Sequence, residues 1–205
     1  MASFPPSAGV APNVDCYKGV AVRELVDWCV ASFSEARVHE AIAGLGGAQW
    51  RGFDLGREGY GVLPGGWYPA TAVNGLLDAL LVGVPAAEQA RLAKGAAEAT
   101  AGKTLRGIYG KLLRLLCTPA LYAKHSQRVW DSYHNTGRLI VRLEGPRALT
   151  TVTDWQGHHP FVCRMNAEAA KIIYTTLGQR GVSTVRMKCV SERAEACVFL
   201  TTWTP

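Results

Sequence analysis

The sequence predicts an α+β fold. An N-terminal helical layer packs on a four-stranded antiparallel sheet, with one helix inserted in a β-β-α-β-β C-terminal unit. Three observations predict it. Apolar residues recur at three- and four-residue spacing through the first two thirds of the chain. From Arg138 the period changes to alternating β-branched and aliphatic residues, as in RLIVRLE at 138–144. Helical and extended segments are segregated along the chain, which favours an antiparallel sheet over alternating βαβ units.

The elements follow in order. Residues 1–14 are rich in Pro, Ser and Ala and read as a flexible tail, leaving 15–205 as one domain. From Lys18, Val22, Leu25, Val26, Cys29 and Val30 share a helix face. A short helix spans about Glu35–Leu45 and stops at Gly44, Gly46 and Gly47. The glycine-rich stretch 46–69 reads as a loop held to the core by Trp50 and Trp67. Pro69 opens a helix through Val82, and Pro85 opens an alanine-rich one to about Ala101. Leu105–Cys117 is helical, and Pro119 restarts a helix to about Tyr133. Arg138–Glu144 and Leu149–Trp155 form a hairpin across Gly145-Pro146. Cys163–Leu177 is the inserted helix, and Val182–Val190 and Cys197–Trp203 are the last two strands.

Composition narrows the function classes. The chain has 205 residues, 48% hydrophobic and 19% charged, an ordinary globular balance that excludes wholesale disorder. A net charge of +6 tolerates an acidic partner without requiring one. No apolar run reaches a membrane span, and the N-terminus lacks the basic and apolar regions of a secretory signal, so a cytoplasmic location is expected. Phosphate loops, GxGxxG, GxSxG, CxxC pairs and DxD-like clusters are absent from the sequence. Lys103, Arg106, Lys111 and Arg114 lie on neighbouring turns and read as a solvated helix face, so no nucleic-acid partner is expected.

Cysteine is the most informative residue. Six are present in a chain expected to stay reduced, so thiols or metal ligands are favoured over disulfides. Cys163, Cys189 and Cys197 form C-x25-C-x7-C. If the last two strands pair, Cys189 and Cys197 flank the turn, and Cys163 can approach from the helix. Such a cluster would suit zinc, whereas scattered buried cysteines can simply act as small hydrophobes. His158-His159 before Pro160 reads as an exposed turn.

The run from Trp130 to Trp203 resembles the 4-vinyl reductase domain. The matching residues are W-D-S-Y-H-N-T-G at 130–137, F-V-C-R-M at 161–165, GVSTVRMKCV at 181–190 and A-C-V-F-L-T-T-W at 196–203. The segment Y-K-G-V-A-V-R-E-L-V-D-W at 17–28 resembles the opening of heme nitric-oxide-binding domains. With G-W-Y-P-A at 66–70, the chain looks most similar to a myxobacterial paralogous family of unknown function in the same superfamily. In relatives that sense phenols, three cysteines and a glutamate hold a structural zinc. The resemblance carries the cysteines onto Cys163, Cys189 and Cys197, and the glutamate position onto Arg186, which cannot ligate. Water, Glu192, His158 or His159 would then complete the site.

In the heme-binding relatives a histidine on a late helix ligates iron, which makes His125 and His134 formal candidates. Their Tyr-x-Ser-x-Arg propionate anchor is missing here, so the expectation is a colourless protein for which heme is unlikely. The resemblance also implies a small apolar or aromatic ligand between sheet and helices, with Trp130, Tyr133, Trp155, Phe161 and Tyr174 as lining residues, and a homodimer. The leading functional reading is a regulatory small-molecule-binding module. A dimeric scaffold without ligand is second, and a vinyl-reductase-like enzyme is third.

Overall fold

Helix and strand follow the periodicity with few exceptions in the computed structural model, which describes residues 14–46, 52–106 and 108–205. The chain is mixed α+β with antiparallel sheets, as expected, and it divides into two compact units. Trp50 and most of the N-terminal tail lie outside the described residues.

The first unit comprises the chain to Gly83 together with Tyr133–Asn135. Strand β1 (Cys16–Lys18) leads into α1 (Gly19–Phe33), which buries Val22, Leu25, Val26 and Cys29. Ser34 caps α2 (Glu35–Ala43), its hydroxyl accepting from the Arg37 N–H. Strand β2 (Trp67–Pro69) pairs antiparallel with β1 and opens α3 (Ala70–Leu81), which buries Val73, Leu76, Leu77 and Leu80. This two-stranded sheet corrects the loop assigned to Trp67–Pro69. Three residues are too few to display an alternating period, so the pairing is set by long-range contacts. Trp67 is half-buried, with the Lys18 ammonium 4.8 Å above its ring. Tyr133–Asn135 closes the unit: the Lys18 N–H donates to the Tyr133 carbonyl, and the Cys16 N–H to Asn135 Oδ1.

In the second unit, α4 (Ala86–Ala99), α5 (Ala101–Thr104), α6 (Ile108–Leu116) and α7 (Pro119–Asp131) precede the sheet. Strands β3 (Arg138–Leu143), β4 (Arg147–Thr153), β5 (Arg180–Lys188) and β6 (Cys197–Thr204) lie in the order β3-β4-β6-β5, all antiparallel. Helix α8 (Pro160–Thr176) is the inserted helix and packs on β5, β6 and α4. It starts three residues earlier than its apolar period suggests, because Pro160 occupies the first turn and the His159 ring accepts from the Phe161 N–H. Gly137 has φ +95°, and a Cβ there would lie 2.9 Å from the Trp130 indole nitrogen, so glycine lets the chain pass under that ring. No described helix is long and apolar enough to cross a membrane.

At one end of the sheet, Tyr174 stacks on Trp203 at 5.0 Å, meets Tyr122 edge-on and packs with Ala148 and Leu177. Tyr174 is fully buried. Tyr174→Ala is expected to cost about 3–5 kcal/mol, the usual range for emptying a buried aromatic site. Urea unfolding followed by tryptophan fluorescence measures this, and a loss below about 1 kcal/mol would show that this cluster is not part of the core.

Candidate metal centre

At the other end of the sheet, four elements converge. Cys197 is the first residue of β6 and pairs across to Val152 near the end of β4. Cys189 follows β5, and the turn between them folds back so that the Glu192 and Ala194 N–H groups donate to the Cys189 carbonyl. Arg193 takes the left-handed conformation that closes this turn. Cys163 sits on the first turn of α8, its N–H donating to the His159 carbonyl. His158 comes from the loop between β4 and α8.

The spacing is that of a metal-sized donor set. The Cys189 sulfur lies 3.6 Å from that of Cys163 and 3.9 Å from that of Cys197. Its distance to His158 Nε2 is 3.3 Å. All four ligand atoms lie within 4.8 Å of one another. Sulfurs bound at ~2.3 Å to one tetrahedral zinc are about 3.8 Å apart. The three cysteines are fully buried, and all six in the chain are free thiols.

The electrostatics are those of crowded thiols. The hydrogen bond with Cys163 pulls Cys197 well down against the opposing effect of burial, with help from His158 and the Val190 N–H. Cys163 is pushed well up, by the same hydrogen bond and then by burial. A thiolate is therefore favoured at Cys197 and a thiol at Cys163, unless a cation joins them.

The structure separates the proposed fourth ligands. His158 is in the cluster, half-buried, with the Trp155 ring edge-on at 5.1 Å. His159 is buried and caps α8. Glu192 pairs with Arg186, whose register opposite Phe199 puts it on the same sheet face as Cys197. Reading His158-His159 as an exposed turn is thus corrected. Neighbouring residues alone do not reveal that β5 and β6 return two cysteines to this loop.

The five aromatic residues are not gathered in one place. Trp130 meets Trp155 edge-on at 5.2 Å, and both are buried, with Trp155 against His158. Phe161 is buried at the start of α8. Tyr174 belongs to the opposite cluster, whose Ala148 lies four residues, about 13 Å, along β4 from Val152. Tyr133 is half-buried in the first unit. A surface recess of about 280 Å³ in the second unit is lined by Lys94, Glu98, Glu168, Lys171, Thr175 and Thr176, together with Ile172. None of the five aromatics lines it. Of the histidines, His39 and His125 are exposed, and His134 is buried with its ring edge-on to Tyr17.

No family model and no curated protein matches the sequence. Solved structures do. An H-NOX protein from S. oneidensis in the Fe(II)NO ligation state matches with TM-score 0.61 at 10% identity, over 92% of this chain and 99% of its own. The Fe(II) unliganded H-NOX protein from K. algicida matches with TM-score 0.63 at 12% identity, over 92% of this chain and 97% of its own. The fold is therefore the one these H-NOX proteins adopt. A further structure of the fold, described for heme redox potential modulated by porphyrin distortion, matches with TM-score 0.54 at 7% identity, over 92% of this chain and 95% of its own. These neighbours overturn the expectation that heme is unlikely. A missing sequence motif is weak evidence at such low identity, and the neighbours of this fold carry ferrous iron or heme.

The burial pattern predicts the thiol chemistry. In native protein only half-buried Cys117 should react promptly with a disulfide reagent, whereas all six should titrate after unfolding in chelator. A colorimetric thiol assay measures this, and three or more promptly reacting native thiols would contradict the buried cluster.

Proposed function

We propose that this chain is a regulatory small-molecule-sensing module in which a structural zinc ion clamps one end of the sheet. The observation that carries the zinc assignment is the convergence of Cys163, Cys189, Cys197 and His158 within 4.8 Å. Four protein donors leave no open coordination position, which suits a structural rather than a catalytic ion. Such an ion would tie the β5–β6 turn to the start of α8. The same cysteine spacing holds structural zinc in the phenol-sensing relatives that the chain resembles.

Charge explains how Arg186 can stand at the relatives' carboxylate position. A carboxylate with three thiolates would leave a zinc site at −2. Neutral imidazole with three thiolates leaves −1, so His158 in place of a carboxylate lowers the charge to be buried, while Arg186 on the adjoining strand is held by Glu192.

The sensing role is supported by the fold, whose solved examples are described in Fe(II) and Fe(II)NO states. Heme is the first ligand to test. The cysteine cluster does not suit it, because donors closing on one point in a tetrahedron leave no plane for a porphyrin. A heme would take an imidazole elsewhere. His134 has the right donor chemistry, since burial pushes its pKa down to about 3 and keeps the ring neutral. A homodimer is part of the proposal.

Native mass spectrometry of protein purified without chelator should show one zinc per chain, and the same spectrum reports the dimer. His158→Ala should weaken zinc binding by more than the roughly 10–100-fold that loss of a supporting partner costs. Zinc affinity unchanged in that variant would remove His158 from the site. Hemin titration followed by the Soret band tests the sensing arm. A stoichiometric band that is lost in His134→Ala is the supporting result, and no band would count against heme as the ligand.

A further inference from the structure

The chain's net charge is concentrated in one segment. Residues 99–130 hold six of its 22 Lys and Arg and none of its 16 Asp and Glu, so this stretch carries the whole net charge of +6. Lys103, Arg106, Lys111, Arg114, Lys124 and Arg128 are all exposed. Only Arg106 among them is tied down, donating to the carbonyls of Gly102 and Glu98.

Helix α6 lies in the middle of this segment and presents leucines outward. Gly110 is buried, and Leu113 packs against the Ala148–Tyr174–Leu177 cluster. On another face, Leu112 is 46% exposed, Leu115 78% and Leu116 72%. Their spacing of three and four residues puts them on one stripe, and Lys111 and Arg114 lie to one side of it. Leu121, in the first turn of α7, is exposed as well. Solvated helix faces are not built this way: two nearly bare adjacent leucines are costly unless something covers them.

We propose that α6 is an interfacial anchor that lays Leu112, Leu115 and Leu116 into an anionic lipid surface, with the surrounding lysines and arginines on the headgroups. Charge complementarity selects this occupant. A second copy on the same face would set two stretches of +6 against each other in an isologous contact. Protein hot spots favour Trp, Tyr and Arg and under-represent Leu, whereas a leucine stripe edged with cations suits the boundary between headgroups and acyl chains. The anchor lies on the bilayer and does not span it, which agrees with the lack of any membrane-crossing helix among the described residues.

Vesicle co-sedimentation of the full chain tests the proposal, with phosphatidylcholine vesicles containing 30% phosphatidylserine against pure phosphatidylcholine. Binding is expected on the mixed vesicles alone and should fall at 0.5 M salt, where exposed charges are screened. The double variant Lys111→Gln/Arg114→Gln should bind about 25-fold more weakly, roughly fivefold per cation. Leu115→Ser/Leu116→Ser should bind at least about tenfold more weakly, with an unchanged far-UV spectrum because both side chains are exposed. No binding to the mixed vesicles, equal binding to both kinds, or variants that bind like the parent would each overturn the proposal. Self-association abolished by Leu115→Ser/Leu116→Ser, without vesicle binding, would assign the face to a second copy instead. The proposal stands apart from zinc and heme, since neither enters the vesicle assay.

Discussion

Three buried sulfurs, two of them within about 4 Å of the third, set the terms for one end of this sheet. Thiolates repel one another, and burial penalises each charge, so without a cation the group holds little negative charge. Cys197 and Cys163 are driven in opposite directions for that reason. A divalent ion reverses the balance by making each deprotonated sulfur a bonding partner. The β5–β6 turn, the first turn of α8 and the β4–α8 loop all meet at this point.

The two ends of the sheet are held by different physics. Around Tyr174 and Trp203 the contacts are aromatic and aliphatic, and their strength scales with buried area. Around Cys197 the packing is polarisable sulfur and imidazole, bounded by Trp155 and Trp130. This division also explains why the aromatics do not share a site. Trp155 lies just beyond β4, whereas Ala148, which packs with Tyr174, lies at its start. Closeness in sequence across a hairpin and a helix does not make neighbours in space when the intervening strand runs the length of the sheet.

Much of this was legible in the sequence. The change of period at Arg138, the Gly145-Pro146 turn and the C-x25-C-x7-C spacing point to the sheet and to three of the four residues that cluster at its end. The fourth was harder. His158 beside His159 and Pro160 looks like a surface turn, and only the strand register shows that Cys189 is returned to it. Arg186 stands in the sequence as an isolated cation, and its pairing with Glu192 depends on contacts that only the folded β5–β6 turn makes. The short β1–β2 pair escaped because three residues carry no readable period. The heme expectation rested on a missing motif, and at 10–12% identity a shared fold outlasts such motifs.

X-ray absorption at the zinc edge of the purified chain probes the donor set directly. The account predicts one zinc per chain, with three sulfurs at about 2.3 Å and one nitrogen at about 2.0 Å. A first shell of nitrogen and oxygen alone, or protein that takes up no zinc when reduced and supplied with the ion, would contradict it.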